Sequence, residues 1–265
     1  MADRDEGRSR QTALITGASF GIGLEFAQLF AADRYDVVLV ARTEDKLKSI
    51  KGTLEGQYGI TGHVIVADLA DPGSPEAIRR AVDEKGLRID VLVNNAGFGG
   101  YGFFHETKLD HELQMIQVNI SSLVALTKLF VRDMVSRGGG RILNVASTAA
   151  YQPGPLQSVY YATKAFVLSF TEAIANELDG TGVEVTAFCP GPTLTEFHAR
   201  AGTQRSFKQM KQQSAADATR GGYEGMRKGK SVVIPGRRNR VLAFGTRFVP
   251  RSFSARVARK LQESD

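Results

Sequence analysis

An open, doubly wound parallel α/β sheet is the fold class this sequence predicts. Three observations predict it. Short apolar segments alternate with amphipathic helical patterns, β-α-β-α, through most of the chain. The segments are continuous in apolar residues where a strand covered on both faces must be, as in Val37-Val38-Leu39-Val40. A glycine-rich turn, Gly17-Ala18-Ser19-Phe20-Gly21-Ile22-Gly23, follows the first segment and opens a helix. The chain has 265 residues, 42% hydrophobic and 23% charged. That is enough to bury a large core, and an α/β architecture reaches this size as one domain.

The elements follow in order. Residues 12–16 read as a strand, and Leu24, Ala27, Leu29 and Phe30 as the buried stripe of the helix after it. Residues 36–40 form the second strand. Helix, strand (63–67), helix (about 74–85) and strand (90–93) come next. A long helix is expected over about 110–137, then strand 141–146, helix 158–178 and strand 183–188. After Pro192 the pattern gives way to a polar, Arg-, Lys- and Gln-rich stretch. The chain has no internal repeat and no low-complexity linker. It reads as a single domain, residues 1–265, with a core over about 11–235, a mobile substrate lid over about 193–226 and a basic amphipathic C-terminal segment over about 236–262.

Composition bounds the setting. The single Cys189 excludes an internal disulfide framework and fits a reducing, cytoplasmic compartment. Residues 1–10 hold no apolar core, so no secretory signal is read there. No run of about 18 apolar residues appears, so no membrane span is expected. His63, His105, His111 and His198 show no metal-ligand spacing, and no metal is expected. Residues 225–262 contain 11 Lys and Arg and no acid. The rest of the chain therefore holds 23 of the 34 basic residues against 28 acidic ones, a net of −5. The overall +6 belongs to the C-terminal segment.

Strand, glycine turn and helix make a dinucleotide site. The turn lets backbone approach a pyrophosphate, and the helix N-terminus favours its charge. Gly17, Gly21 and Gly23 are the turn glycines and Ser19 can donate to a phosphate. The end of the second strand selects the dinucleotide. An acid there would bind the ribose 2′-hydroxyl, and an Arg would accommodate a 2′-phosphate. The sequence places Arg42 there, a permanently charged donor fork, so NADP(H) is favoured over NAD(H). Arg42 stacking on adenine would tolerate either. Asp68-Leu69 lies past the third strand, where Asp68 could accept from an adenine amino group or serve as a turn or N-cap residue. Asn94-Asn95-Ala96-Gly97 follows the fourth strand, with small residues that permit backbone contact with ribose.

Tyr160-Tyr161-Ala162-Thr163-Lys164 carries the chemistry. On a helix, Tyr160 and Lys164 share one face. A neighbouring ammonium favours phenolate and lowers a Tyr pKa from about 10. Ser147, thirteen residues earlier, adds a hydroxyl able to hold a carbonyl oxygen. That is chemistry for moving a proton on and off an alcohol or ketone oxygen.

Taken together, Thr16-Gly17-x-x-x-Gly21-Ile22-Gly23, Asn94-Asn95-Ala96-Gly97, Ser147, Tyr160-x-x-x-Lys164 and Cys189-Pro190-Gly191-Pro192 resemble the short-chain dehydrogenase/reductase family, whose fold is a Rossmann sheet. The resemblance spans about residues 12–197. It implies that Tyr160 is the general acid in reduction and base in oxidation. It implies that Lys164 binds the nicotinamide ribose and lowers the Tyr160 pKa, that Ser147 polarises the substrate oxygen, and that Asn119 holds a relay water. Gly17, Ser19, Phe20, Gly21, Ile22, Gly23, Arg42, Asp68, Leu69, Asn95, Ala96, Gly97, Tyr160, Lys164, Pro190, Gly191, Thr193 and Thr195 would line the cofactor. Phe20 stands where some NADP-dependent members have a basic residue, so the NADP preference rests on Arg42. The same likeness implies a homodimer or homotetramer paired through the helices at about 110–137 and 158–178.

Two segments are open to more than one reading. Residues 98–104, a Gly-aromatic loop, could wall an apolar substrate pocket or pack on the long helix. In the tail, Val241, Leu242, Phe244, Phe248 and Val249, with Phe253, Val257 and Leu261 at four-residue intervals, could pack on the body. Packing is favoured over lying on an anionic inner membrane surface or meeting an acidic substrate or partner. No nucleic-acid recognition motif appears. The activity expected is NADPH-dependent carbonyl reduction, on 3-oxoacyl or other lipid-like ketones. A hydroxysteroid or xenobiotic carbonyl, or a non-catalytic NADP(H)-binding or membrane-recruited role, is the alternative.

Overall fold

The computed structural model describes residues 10–197, 201–203 and 212–263. Strands β1 (Thr12–Thr16), β2 (Asp36–Ala41), β3 (Gly62–Val66), β4 (Val91–Asn94), β5 (Gly140–Val145) and β6 (Val183–Phe188) fall within a residue or so of the sequence pattern. With the short β9 (Val232–Val233) they form one seven-stranded sheet, ordered β3-β2-β1-β4-β5-β6-β9. Every pairing is parallel. The order reverses between β1 and β4, where Leu14 stands opposite Leu92. Open α/β sheets bind ligands at that switch point.

Each face of the sheet is covered by helices. Helices α1 (Gly21–Ala32) and α2 (Glu44–Tyr58) bring Phe26, Phe30, Leu47 and Leu54 onto one face. Helix α3 (Ser74–Glu84) and the long helix bring Ile78, Val82, Leu126, Phe130 and Met134 onto the other. The aromatic contacts are edge-on: Phe26 to Phe188 at 5.8 Å and Phe30 to Tyr223 at 4.9 Å between ring centroids. Burial of each such ring contributes about 2–3 kcal/mol.

The long helix is α4 (Leu109–Ile116), a π-turn (Gln117–Ser121) and α5 (Ser122–Ser136) in unbroken succession. At 28 residues and a mean hydropathy of 1.3 it is apolar enough, by length and composition, to cross a membrane. Its buried row of Leu123, Leu126, Phe130 and Met134 packs against the sheet, which makes it a core helix. Helix α6 (Ser158–Glu177) lies beside it.

The C-terminal third differs from expectation in two ways. The predicted lid over 193–226 does not extend that far as a mobile cover. Beyond Gln212 it becomes a short strand, β8 (Gln213–Ser214), paired with β7 (Thr193–Leu194), and then a core helix, Ala215–Arg227. Ala218, Tyr223 and Met226 of that helix are buried against α1, and Gly222 meets the Phe188 ring. Its buried row is made mostly of small residues, while Asp217, Arg220, Glu224 and Arg227 face out, which is why the segment looked like a polar loop. Residues 198–200 and 204–211 of the expected lid, His198 among them, lie outside the described residues.

The predicted basic segment over 236–262 is two helices, Arg237–Gly245 and Arg251–Glu263, joined through a 3₁₀ turn at Thr246–Phe248. The last helix packs through Ser254, Ala258 and Gln262, not through its apolar stripe. Phe253, Val257 and Leu261 are exposed, as are Val241, Leu242, Phe244 and Phe248.

Candidate active site

The glycine turn is built by close approach. Gly17 has φ of +64°, and a Cβ on it would lie 2.8 Å from the Asn95 amide. A Cβ on Gly23 would strike the Gly17 carbonyl, so neither position tolerates a side chain. Thr16 Oγ1 accepts from the Asn95 and Ala96 N–H groups at 3.0 Å, and Asn95 Nδ2 donates to the Thr16 carbonyl at 2.9 Å. These bonds fasten the end of β4 to the turn. Phe20 caps α1 without a side-chain hydrogen bond, which leaves the first N–H groups of the helix for a phosphate. The cradle therefore fits a dinucleotide: bare backbone, a helix N-terminus and Ser19 beside it.

The remaining cofactor candidates fall around this cradle with differing roles. Thr195 comes back against it, its methyl group 3.0 Å from where a Cβ on Gly21 would stand. Thr193 is buried and donates to the Gly191 carbonyl at 2.8 Å, and Pro190 accepts from the Thr148 N–H at 2.9 Å. Ile22 packs on the core and Leu69 is buried within it, so their side chains face inward. Arg42 is exposed at the end of β2 and lies 3.7 Å from Asp68. Asp68 also accepts from the Ala70 N–H at 3.0 Å, a turn role. Lys46, one turn into α2, stands 5.7 Å from the Phe20 ring centroid. It puts a second cation at the edge of the turn, one that no motif in the sequence marks.

The four catalytic candidates converge at the ends of β4 and β5. Ser147 follows β5 and caps a 3₁₀ turn, Thr148–Tyr151, by accepting from the Ala149 N–H at 3.1 Å. Its hydroxyl is the neighbour that holds the Tyr160 phenol pKa down against burial. Lys164, one turn along α6, is buried and donates from Nζ to the Val145 carbonyl at 2.8 Å. It stands 5.8 Å from the Tyr160 ring centroid. A Cβ on Gly97 would come within 3.0 Å of Asn119 Oδ1 and 3.5 Å of Lys164 Nζ, so the site is closed by backbone on that side.

Asn119 sits in the π-turn, a feature that recurs at functional sites. Its amide donates to the Phe98 carbonyl and to Thr163 Oγ1, both at 3.0 Å, and accepts from the Phe98 N–H at 3.1 Å. The side chain thus clamps the Gly-aromatic loop to α6.

The electrostatics depart from one expectation. Lys164 was expected to pull the Tyr160 pKa down. Burial instead pushes the phenol up, with Ser147 pulling the other way. Burial also pulls Lys164 itself down to about 8.

The loop packs both toward Tyr160 and onto the long helix. Gly99 lies against Tyr160, Phe197 and Ala201, while the Phe98 ring packs edge-on to His111 at 5.3 Å. Phe197 is 5.4 Å from the Tyr160 ring, so the wall beside the phenol is apolar. A hollow of about 410 Å³ opens beside the loop, against Tyr101, Thr107 and His111. The last helix reaches this region. Gln262 donates to Tyr161 Oη at 3.0 Å, accepts from Gln157 at 3.0 Å and offers its backbone carbonyl to Tyr101 Oη at 2.8 Å. Tyr161 is therefore part of the wall as well as packing.

Comparison with known proteins agrees with the geometry. The family model for short chain dehydrogenases matches residues 11–206. A relative from Streptomyces virginiae, named as a ketoacyl reductase of a monensin polyketide synthase, is 42% identical over 194 residues, 72% of this chain and 73% of that one. A 7beta-hydroxysteroid dehydrogenase of Collinsella aerofaciens is 34% identical over 182 residues, 69% of this chain and 68% of that one. The solved structure of a short-chain dehydrogenase from Sphingobium yanoikuyae in complex with NADPH superposes with a TM-score of 0.82 at 32% identity, covering 90% and 93% of the two chains. The chain belongs to the short-chain dehydrogenase/reductase family of oxidoreductases, which act on alcohol and ketone groups with a nicotinamide dinucleotide.

Proposed function

We propose that the protein is an NADPH-dependent carbonyl reductase whose substrate is a 3-oxoacyl or similarly lipid-like ketone. One observation carries the reading: Ser147, Tyr160 and Lys164 meet at the mouth of a cradle shaped for a dinucleotide. Gly17, Ser19, Gly21, Gly23 and Thr195 would hold the pyrophosphate, and Arg42 with Lys46 a 2′-phosphate. NADPH, when bound, supplies the hydride.

The chain's own groups supply the rest. Ser147 donates to the carbonyl oxygen and polarises it. Tyr160, held protonated by burial, donates its proton to that oxygen as the alcohol forms. Lys164 Nζ, fixed on the Val145 carbonyl, positions the ribose and compensates the phenolate left behind. Asn119 fixes the loop that faces the substrate, and its place in the π-turn suits a water relay to Lys164. The apolar wall of Phe197, Ala201 and Gly99 favours a ketone without charge near its carbonyl. The names of the two relatives, a ketoacyl reductase and a hydroxysteroid dehydrogenase, support a bulky apolar substrate and leave the steroid as the second reading.

Exposed Leu109, Leu113 and Ile116 on the long helix, and Phe166 stacked on Phe170 of α6, support a homodimer or homotetramer built on these helices. A cytoplasmic setting suits the single buried Cys189. The test is turnover of 3-oxoacyl thioesters, steroid ketones and small ketones with NADPH and with NADH. A kcat/KM highest for the thioesters with NADPH supports the reading. Preference for NADH, or for small polar ketones, overturns it.

A further inference from the structure

We propose that the two C-terminal helices form a docking face for an anionic lipid bilayer, set at the rim of the substrate loop. The first observation is exposure. Val241, Leu242, Phe244, Phe248, Phe253, Val257 and Leu261 all stand in solvent, with Phe248 74% and Val241 70% accessible. Packing does not require this arrangement, because the last helix already anchors itself through Ser254, Ala258 and Gln262. At about 100° per residue, Phe253, Val257 and Leu261 form a stripe between that anchored row and the row of Arg256 and Lys260. A helix with an apolar stripe beside a basic one is built to lie in a membrane interface.

The Arg237–Gly245 helix adds exposed apolar residues interleaved with arginines. Ala243 faces inward, and Val241, Leu242 and Phe244 stand among Arg237, Arg238 and Arg240. Phe244 contacts Phe248 at 5.1 Å, with Arg247 6.0 Å from the Phe244 ring. Long arginines of this kind can place their stems along acyl chains and their heads among phosphates.

Charge selects the occupant. Residues 237–262 carry 8 basic side chains and no acid, and the one carboxylate of the last helix, Glu263, is paired with Arg259 at 2.6 Å. A second copy docked on this face would oppose like charge to like, which an isologous interface cannot relieve. An anionic bilayer supplies both the apolar interior and the counter-charge.

Placement gives the surface a use. The last helix touches the substrate loop through Gln262 on Tyr101, and Arg259 lies 5.7 Å from the Phe103 ring. Phe103 and Phe104 are exposed beside it. A docked protein would turn this loop toward the lipid, so an apolar ketone could pass between bilayer and pocket. That consequence rests on the carbonyl-reductase reading, whereas the docking itself does not.

The experiment is co-sedimentation of the full chain with phosphatidylglycerol-containing vesicles and with pure phosphatidylcholine vesicles. Wild type, Phe244→Glu/Phe248→Glu and Arg256→Glu/Lys260→Glu are compared. Melting temperature and NADPH turnover of a water-soluble ketone serve as controls that none of these residues should move. Wild type should bind the anionic vesicles only, and more weakly at high salt. Each double variant should lower the binding constant at least about tenfold with both controls unchanged. Equal binding of wild type and variants overturns the proposal, and so does absence of binding to anionic vesicles. Self-association that the Phe variants abolish, without vesicle binding, assigns the face to a second copy instead. Vesicle binding without turnover of any ketone leaves the docking intact and removes the reductase reading.

Discussion

Lys164 answers two demands, to stay charged beside a phenol and to stay buried. Burial pulls its pKa down to about 8, and its bond to the Val145 carbonyl fixes where the charge sits. Tyr160 is held up by burial, so Lys164 is the group that titrates nearer to neutrality. Reductive kcat/KM should therefore fall as pH rises through about 8, where the ammonium is lost, and a profile flat to pH 10 would contradict this. The stability effect has the opposite slope. The folded pKa lies below the unfolded 10.5, so the cost of the buried charge is present below about pH 8 and is relieved as pH rises to 10.5. Denaturant melts of Lys164→Met against wild type should show the balance moving toward wild type across that window. At the other end of the cleft, Arg42→Ala should lower the NADPH-over-NADH preference in kcat/KM by about 10–100-fold, the range of a lost charge-assisted contact. These residues were legible in the sequence because fixed spacing on one helix, or one strand end, puts them in place. Lys46 and Gln262 were not, because each reaches the site across a contact that no local pattern encodes.

Between the elements, the Ala215–Arg227 helix is where sequence and structure part. Its small residues allow close packing on α1 and β6, so it reads as polar while burying Ala218, Tyr223 and Met226. Tyr223 also donates to Asp33 at 2.8 Å. Tyr223→Ala should cost about 3 kcal/mol and lower the melting temperature, where the same change in a mobile lid would cost almost nothing. A melting temperature equal to wild type would return the segment to the lid. The last helix makes a complementary case. Gln262→Ala leaves Tyr161 and Gln157 without their shared partner and removes one anchor of the last helix, so it should lower the melting temperature and raise KM for bulky ketones several-fold, read by thermal melts and steady-state kinetics. The strands were legible because a parallel sheet buried on both faces demands continuous apolar runs. The two-residue β9 was not, since Val232-Val233-Ile234 is too short to mark a strand until β6 is beside it.

For the whole molecule, charge and apolar exposure are divided by region. The rest of the chain is acidic on balance, and the basic excess lies in the C-terminal stretch, whose last helix contacts the Gly-aromatic loop through Tyr101. The exposed row of Leu109, Leu113 and Ile116 is a separate surface on a separate helix. Leu113→Glu should shift the protein toward monomer in light scattering, and an unchanged mass would remove this row from the interface. The reductase reading places the proton donor at Tyr160. NADPH oxidation followed at 3-oxoacyl and steroid ketones, wild type against Tyr160→Phe, tests it most directly. Tyr160→Phe should lower kcat about 10²–10⁴-fold with NADPH binding retained. Wild-type turnover by Tyr160→Phe would contradict it.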